Sequence, residues 1–219
     1  MTNQLIFKFP SSNAYSKDDF YVSSSNQDAY DLINNWPKWP RKIVNIFGPL
    51  GSGKTHITSI VKNKTSFLNI SAKKLNDDIF FKYKTKEVLI IENLDSQVSE
   101  NLLFSLWNTA LQDNKFILIT SLQPISTYKF KLLDLRSRVN SCLCIGIKLP
   151  IDDLISVIIA KNFSDKQIKV NKKHIDYIVK RIDRSYEKIA LFISTLDKYS
   201  LKKGGPFTLK LIKEVLKMM

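Results

Sequence analysis

The sequence predicts an α/β domain with a parallel sheet, followed by a small unit that contains only helices. Up to Leu149, short apolar runs alternate with segments of helical periodicity, and a glycine-rich loop joins the first strand to a helix. From Pro150 onward only helical periodicity remains. Because alternating strands and helices build parallel sheets that are covered on both faces, we expect a three-layer sheet domain and a separate helical unit.

Composition limits the classes of function. The 219 residues are 44% apolar and 25% charged, so the chain can form one medium domain and a small one. The formal net charge of +14 is compatible with nucleic acid as a partner. However, only five of the 34 cationic residues are arginines, and the charge is spread along the chain, which is also typical of a general lysine bias.

Several other classes are disfavoured. The longest apolar runs are too short to cross a membrane, and no secretory signal is visible. The two cysteines, Cys142 and Cys144, make neither a disulfide framework nor a zinc site. We therefore expect a cytoplasmic protein with reduced thiols and no membrane partner.

The elements of the sheet domain follow in order. A helix is expected from Asn26 to Trp36, and a strand from Lys42 to Phe47 leads into the glycine-rich loop and the next helix. Further strands are predicted at four apolar runs: Phe67–Ile70, Val88–Ile91, Phe116–Ile119 and Leu143–Ile147. Between the second and third of these runs, apolar residues recur at helical spacing: Leu102, Leu103, Leu106, Trp107, Ala110 and Leu111.

Four helices are expected in the C-terminal unit, each with one apolar face. Asn171, Ser185 and Thr208 are typical residues for the starts of the last three, because their side-chain oxygens accept hydrogen bonds from the free N–H groups of a first turn. The segment 204–206, Gly-Gly-Pro, is expected to interrupt the helical structure before the final helix begins.

A phosphate-binding loop is indicated between the first strand and its helix. Gly48-Pro-Leu-Gly-Ser-Gly-Lys-Thr55 satisfies the phosphate-loop pattern in full. Glycines let backbone N–H groups turn toward phosphate oxygens, Lys54 would reach the outer phosphates, and Thr55 would ligate Mg²⁺. We therefore predict that the chain binds a nucleoside di- or triphosphate. The predicted contacts are Gly48, Pro49, Gly51, Ser52, Gly53, Lys54, Thr55 and His56, the last being more typical of a packed histidine than of a base.

A second Mg²⁺ ligand is expected at the end of the strand Val88–Ile91. Glu92 leaves this strand where a metal-binding carboxylate belongs, whereas the next residue is Asn93. Since an amide cannot accept a proton from water, Asn93 is a defect in a hydrolytic site. Asp95 has two open interpretations, as a substitute catalytic carboxylate or as a turn residue.

An arginine pair lies before the last predicted strand. Two of the five arginines, Arg136 and Arg138, are separated by a single residue. A guanidinium is rigid and always charged, which suits stabilisation of a phosphoryl transition state. We predict this role for Arg138, whereas Arg136 is open to a salt bridge with Asp134. Thr120 has two open interpretations, as a hydroxyl near the γ-phosphate or as the polar end of a strand.

The order of these features resembles that of AAA+ ATPases. The segment Asp19–Ala29 is similar to the N-terminal box of the bacterial replication initiator DnaA, and Asp134–Arg138 is similar to its arginine-finger box. The resemblance covers about residues 15–219 and implies ADP or ATP with Mg²⁺ as the ligand. It divides the chain into an N-terminal peptide (1–14), a P-loop AAA+ domain (15–149) and an all-α lid (150–219).

More narrowly, the chain resembles the Hda group of DnaA relatives, which consist of the AAA+ module and lid alone. These proteins begin with a peptide that docks on the β sliding clamp, and Gln4-Leu-Ile-Phe-Lys-Phe9 is similar to it. Gln4 would hydrogen-bond at the rim of the clamp groove, while Leu5, Phe7 and Phe9 would fill apolar pockets. The alternative for this hexapeptide is an ordinary first strand. We expect no DNA-reading domain within the 219 residues.

This resemblance implies a regulator of replication initiation. Docked on the β clamp of DNA polymerase III, it would present Arg138 to the ATP site of DnaA and stimulate hydrolysis there. A homodimer is compatible with the family, and DNA contacts would be indirect or weak. The alternative is a DNA-associated AAA+ ATPase, such as a helicase loader or a truncated initiator, which the +14 charge favours.

Two departures from the family pattern bear on the chain's own hydrolysis of ATP. The family's lid arginine would align with Glu187, and a carboxylate there repels phosphate. Together with Asn93, this indicates weak or absent intrinsic ATPase activity and stable ADP binding. Arg138 is unaffected, because it would act on a neighbouring molecule.

Overall fold

The structure, a computed structural model, describes residues 20–165, 170–203 and 208–219. Within these residues five strands form: β1 (Ile43–Phe47), β2 (Phe67–Ser71), β3 (Val88–Leu94), β4 (Phe116–Ser121) and β5 (Leu143–Gly146). The same residues form nine α-helices: α1 (Gln27–Asn34), α2 (Lys54–Lys62), α3 (Asp78–Tyr83), α4 (Glu100–Gln112), α5 (Leu133–Asn140), α6 (Asp152–Asp165), α7 (Lys172–Val179), α8 (Tyr186–Lys203) and α9 (Leu209–Lys217). The hexapeptide Gln4–Phe9 lies outside the described residues.

The five strands make one parallel sheet with the order β2-β3-β4-β1-β5. β1 lies between β4 and β5, with Ile43 opposite Ile117 and Val44 opposite Leu143. The first four residues of β1 are buried, as expected for a strand that is covered on both faces. The predicted α/β class is therefore confirmed. Because parallel strands end at the same edge, the loops that follow β1, β3 and β4 meet on one side of the molecule.

Each face of the sheet has its own apolar core. One core joins α1 and α2 to the sheet, and its helical members include Ala29, Ile33, Ile57 and Val61. The opposite core is centred on α4 and contains Trp107, the bulkiest fully buried side chain among the described residues. The sheet is thus the middle layer of three, as predicted.

Helix α4 buries most of its predicted apolar face. The buried residues are Leu102, Leu103, Leu106, Trp107 and Ala110. Leu111 is different, because 42% of its surface is exposed. Successive residues of an α-helix are rotated by about 100°, so Leu111 lies beyond the stripe that ends at Ala110. The predicted helical spacing is therefore confirmed, and Leu111 lies at the exposed edge of the apolar face.

A polar residue, Asn45, lies at the centre of the sheet and is fully buried. Its side-chain amide donates to the Ile119 carbonyl oxygen at 3.2 Å and to Ser121 Oγ at 2.8 Å. Its side-chain oxygen accepts from the Ile125 N–H at 3.1 Å. Since buried amides are tolerated only when they are hydrogen-bonded, this network fixes the end of β4 relative to β1.

Helices α6–α9 pack around a third apolar core, to which Ile155, Phe163, Ile178 and Phe192 contribute. Two predicted caps are confirmed, since Asn171 accepts from the Lys173 N–H and Thr208 from the Leu211 N–H. The division of the chain at 14/15 and 149/150 stays a prediction. Across the described residues, every helix is too short or too polar to span a membrane.

Candidate functional site

The phosphate-loop motif joins β1 to α2, and the backbone requires two of its glycines. Gly51 has a φ of 75° and Gly53 a φ of 88°, a region that other residues rarely adopt. Gly48 is required for space, because a Cβ there would lie 2.9 Å from the Ile147 carbonyl oxygen. Helix α2 begins directly after Gly53, so the free N–H groups of its first turn lie at the loop. This arrangement suits an anion.

The ammonium of Lys54 is held inside the loop. Lys54 is 7% exposed, and its Nζ donates to the carbonyl oxygens of Gly48 at 2.7 Å and Pro49 at 2.8 Å. Burial lowers the pKa of Lys54. Carbonyl dipoles compensate a full charge only in part, so a phosphate oxygen would be a stronger partner for this ammonium.

Ser52 supplies an independent indication of a ligand. Its hydroxyl is buried, and it has no hydrogen-bond partner among the described residues. Leaving a buried hydroxyl unpaired costs about 1–3 kcal/mol, so such groups usually have a partner. A phosphate oxygen in the loop would accept its hydrogen bond. The loop therefore fits the phosphate groups of a nucleotide.

An aromatic row lies beside the loop. Phe20 packs edge-on against His56, with ring centroids 5.2 Å apart, and stacks on Tyr30 at 5.8 Å. Phe20 also lies 3.4 Å from the position that a Cβ would take at Gly53. Phe20, which belongs to the predicted N-terminal box, is thus packed against the start of α2. His56 is half-buried in this row, in agreement with its interpretation as a packed histidine, whereas Thr55 is exposed.

The end of β3 contains a bulge at the predicted metal-binding position. Ile91 pairs with Ile119 and Leu94 with Ser121, so β3 has one more residue than β4 in this interval. Asn93 takes up the extra length with a φ of 57°. Asparagine tolerates this left-handed conformation better than most residues. Asn93 therefore fits the backbone of the bulge, although it lacks the carboxylate of a hydrolytic site.

Glu92 is already bound to a cation of the same chain. Its Oε1 lies 3.4 Å from Nζ of Lys62 and 3.5 Å from Oγ1 of Thr58, both on α2. The Thr58 hydroxyl also donates to the Thr55 carbonyl oxygen at 2.9 Å, so Lys62 is the main partner of Glu92. Because Lys62 engages the Glu92 carboxylate, Glu92 does not fit the predicted role of second Mg²⁺ ligand beside Thr55 in this arrangement.

Thr120 and Asp95 have local partners. The Thr120 hydroxyl is buried and accepts from the Asn93 N–H at 3.0 Å, which ties β4 to the bulge. The Asp95 carboxylate accepts from the Gln97 N–H at 2.9 Å, which is a turn-type contact. This favours the turn interpretation of Asp95, and the sensor role of Thr120 stays a prediction.

The two arginines of the box lie on α5 and differ in their contacts. Arg136 Nε donates to the Phe130 carbonyl oxygen, in place of the salt bridge to Asp134 that the sequence left open. Arg138 is exposed, and the described part of the chain offers its guanidinium no hydrogen bond or ion pair. Arg136 thus supports its own helix, while Arg138 is available to a partner molecule.

The start of α5 is fixed by Glu100, the first residue of α4. Its carboxylate accepts from the Lys131 N–H at 2.9 and 2.8 Å and from the Leu132 N–H at 2.7 Å. These two hydrogen bonds hold the pKa of Glu100 below its usual value. No sequence pattern indicated this contact, because the partners are 31 and 32 residues apart. It orients the helix that carries Arg138.

Replacing Glu100 with glutamine is expected to lower stability in a pH-dependent way. The depressed pKa stabilises the fold above the ordinary value of 4.5, and this contribution disappears as the pH falls through the folded-state pKa. Urea midpoints should therefore differ most at neutral pH and converge in acid. Glu187→Gln is the matched control, since Glu187 also lies in a first helical turn but is exposed. Identical pH profiles for wild type and Glu100→Gln would contradict this account.

The lid contacts the phosphate loop through Tyr186, a residue that no sequence pattern had indicated. A Cβ at Gly51 would lie 3.2 Å from Tyr186 Cβ, and the Tyr186 hydroxyl donates to the Lys148 carbonyl oxygen at 3.2 Å. Burial raises the pKa of Tyr186 to about 12, so the hydroxyl stays a donor at neutral pH. Glu187 is exposed, and Arg184 pairs with Asp152 at 3.0 Å.

Comparison with known sequences identifies relatives of the chain. The chain is 27% identical over 233 residues to the chromosomal replication initiator protein DnaA of Borrelia turicatae. The alignment covers 92% of this chain and 48% of the relative, so the chain spans about half the length of the curated relatives it matches. The chain is homologous to DnaA. No family model matches it.

Solved structures give the same fold for this DnaA homologue. Domain III of DnaA from Thermotoga maritima matches with a TM-score of 0.77 at 19% identity, over 95% of this chain and 98% of that chain. A DnaA bound to AMPPCP and single-stranded DNA matches with a TM-score of 0.68 at 19% identity, over 87% of this chain and 68% of that chain. The predicted AAA+ fold is therefore confirmed.

Proposed function

We propose that this DnaA homologue is a nucleotide-binding regulator of replication initiation, which stimulates ATP hydrolysis by DnaA through Arg138 while docked on the β sliding clamp. The observation that carries the proposal is the exposed Arg138 guanidinium, which has no partner within the described residues. It lies on a helix whose start is bound by Glu100. An unpaired charge on a fixed helix is suited to a binding site on another molecule.

The nucleotide would be held by the loop between β1 and α2. Backbone N–H groups after Gly51, the unpaired Ser52 hydroxyl and the Lys54 ammonium would each contact phosphate. A DnaA with AMPPCP bound supports an adenine nucleotide as the ligand. Because Tyr186 packs on Gly51, a bound nucleotide would also fix the lid against the loop. We expect slow or absent hydrolysis at this site, since Asn93 offers no proton acceptor.

Arg138 would act in the ATP site of a neighbouring DnaA molecule. Charge that develops on the transferred phosphoryl oxygens is stabilised by a rigid guanidinium that enters the site from outside. Arg138 has no hydrogen bond or ion pair to break within the described residues, so little binding energy is lost in presenting it. The test is the rate of ATP turnover by DnaA on clamp-loaded DNA, with and without this chain. An unchanged rate would contradict the proposal.

The clamp contact rests on the sequence of Gln4–Phe9 alone, because these residues lie outside the described part of the chain. We expect the β clamp to retain the wild-type protein in a pull-down assay. The double variant Gln4→Ala/Leu5→Ala should not be retained. Lys8→Ala is the matched control, because Lys8 lies in the same hexapeptide but has no predicted pocket. Equal retention of the wild type and the double variant would remove the clamp from the proposal.

A DNA-associated ATPase is the second candidate, and the net charge of +14 favours it. This function predicts tight DNA binding that weakens steeply with salt, because released counterions drive such binding. It also predicts ATP turnover by the chain alone. Strong, salt-sensitive DNA binding together with no retention by the clamp would favour this candidate over the regulator.

A further inference from the structure

We infer that Lys62 makes nucleotide binding by this chain independent of Mg²⁺, because its ammonium occupies the carboxylate that a metal ion would need. This inference rests on the proposed nucleotide site. The starting observation is the ion pair between Lys62 Nζ and Glu92 Oε1 at 3.4 Å. Only 21% of the Lys62 side chain and 16% of the Glu92 side chain are exposed, so solvent screens the pair less than a surface pair.

The residues of α2 that Glu92 contacts support the same inference. A nucleotide-bound Mg²⁺ would be expected beside Thr55, in the first turn of α2. Glu92 instead contacts Thr58 and Lys62, which lie three and seven residues further along the helix. With a rise of about 1.5 Å per residue, the backbones of Thr58 and Lys62 lie about 5 and 10 Å beyond Thr55 along the helix axis. Their side chains meet at one carboxylate oxygen, Oε1, which is therefore occupied by residues of α2 other than Thr55.

The charge at this edge of the sheet is also unsuited to a divalent cation. Mg²⁺ in nucleotide sites is held by one or two carboxylates together with phosphate oxygens. Here Lys62 neutralises Glu92, and Asn93 supplies no second charge. The phosphate charge would therefore be compensated by Lys54 and by the N–H groups of the loop. ADP is the probe for this arrangement, because its phosphates can be met by one ammonium and the loop N–H groups.

The test compares ADP affinity in excess MgCl₂ and in EDTA by isothermal titration calorimetry. For the wild type we expect dissociation constants that agree within about twofold. Lys62→Met keeps the apolar stem but releases Glu92, and it should bind ADP about tenfold more tightly with MgCl₂ than with EDTA. Mn²⁺ paramagnetic resonance gives a second measurement, because ADP carries the metal ion into the site in both proteins. The signal of ADP-bound Mn²⁺ should change further in Lys62→Met, whose freed carboxylate can ligate the ion, and not in the wild type.

Two further variants make the result specific. Lys62→Met/Glu92→Gln should lose the metal dependence that Lys62→Met gains, because the freed carboxylate is its source. Lys64→Met removes a nearby charge that contacts the Ile33 carbonyl oxygen rather than Glu92, and it should behave as wild type. A wild-type affinity that falls about tenfold or more in EDTA would overturn the inference, as would a Lys62→Met variant that stays insensitive to metal. The absence of ADP binding in both buffers would instead overturn the proposed nucleotide site.

Discussion

Replacing Arg138 with alanine is expected to reduce the stimulated ATP hydrolysis of DnaA by about 10³-fold or more, which is the range for loss of an arginine finger. The guanidinium would compensate charge that exists only in the transition state, so its removal should lower the turnover rate rather than the binding of ATP to DnaA. Because Arg138 is exposed and has no partner in the described residues, the free energy of unfolding should change by less than about 0.5 kcal/mol.

Arg136→Ala is the matched control for this variant. The two arginines lie two positions apart on α5, but Arg136 Nε donates a hydrogen bond to the Phe130 carbonyl oxygen. Arg136→Ala should therefore lower the urea midpoint and keep most of the stimulation, which is the opposite of the effect at Arg138. Arg138→Lys should recover little activity, because an ammonium lacks the planar fork. Equal stimulation by the two alanine variants would show that position 138 is not special.

Features that depend on local sequence could be predicted. The glycines of the phosphate loop are required by positive φ at Gly51 and Gly53 and by close contact at Gly48, and a complete motif encodes all three. Strand positions followed from apolar runs because a strand that is covered on both faces has no polar side. Helix caps at Asn171 and Thr208 followed because a cap bonds its own first turn.

Contacts between distant elements could not be predicted from the sequence. Glu92 meets Lys62 across 30 residues, and Asn45 meets Ile119 across 74. Such contacts depend on which strands are neighbours in the sheet and on how helices pack against it, and no spacing in the sequence specifies either. The same applies to the bulge at Asn93, whose sequence signal was only the amide in place of a carboxylate. Helix α3 was not identified, because six residues are too few for a clear helical period.

Replacing Lys54 with alanine is expected to weaken ADP binding about 100-fold. A hydrogen bond to a charged group contributes about 3 kcal/mol at the upper end of the measured range, and this corresponds to two orders of magnitude in the dissociation constant. The loss should be larger here than in a site with a metal ion, because Lys54 would compensate the phosphate charge without help from a divalent cation. Isothermal titration calorimetry with ADP measures it directly.

The control for Lys54→Ala must separate lost phosphate contact from lost stability, because the Lys54 ammonium also bonds two carbonyl oxygens of its own loop. Lys115 also donates to two carbonyl oxygens, away from the site, with its Nζ 3.1 Å from that of Tyr83 and 2.7 Å from that of Lys84, and it lies 3.7 Å from Asp113 as well. Lys115→Ala should lower the urea midpoint by a similar amount and leave ADP affinity unchanged. If both variants lost affinity equally, the effect would come from the fold. If Lys54→Ala bound ADP as tightly as wild type, the loop would not hold the phosphates.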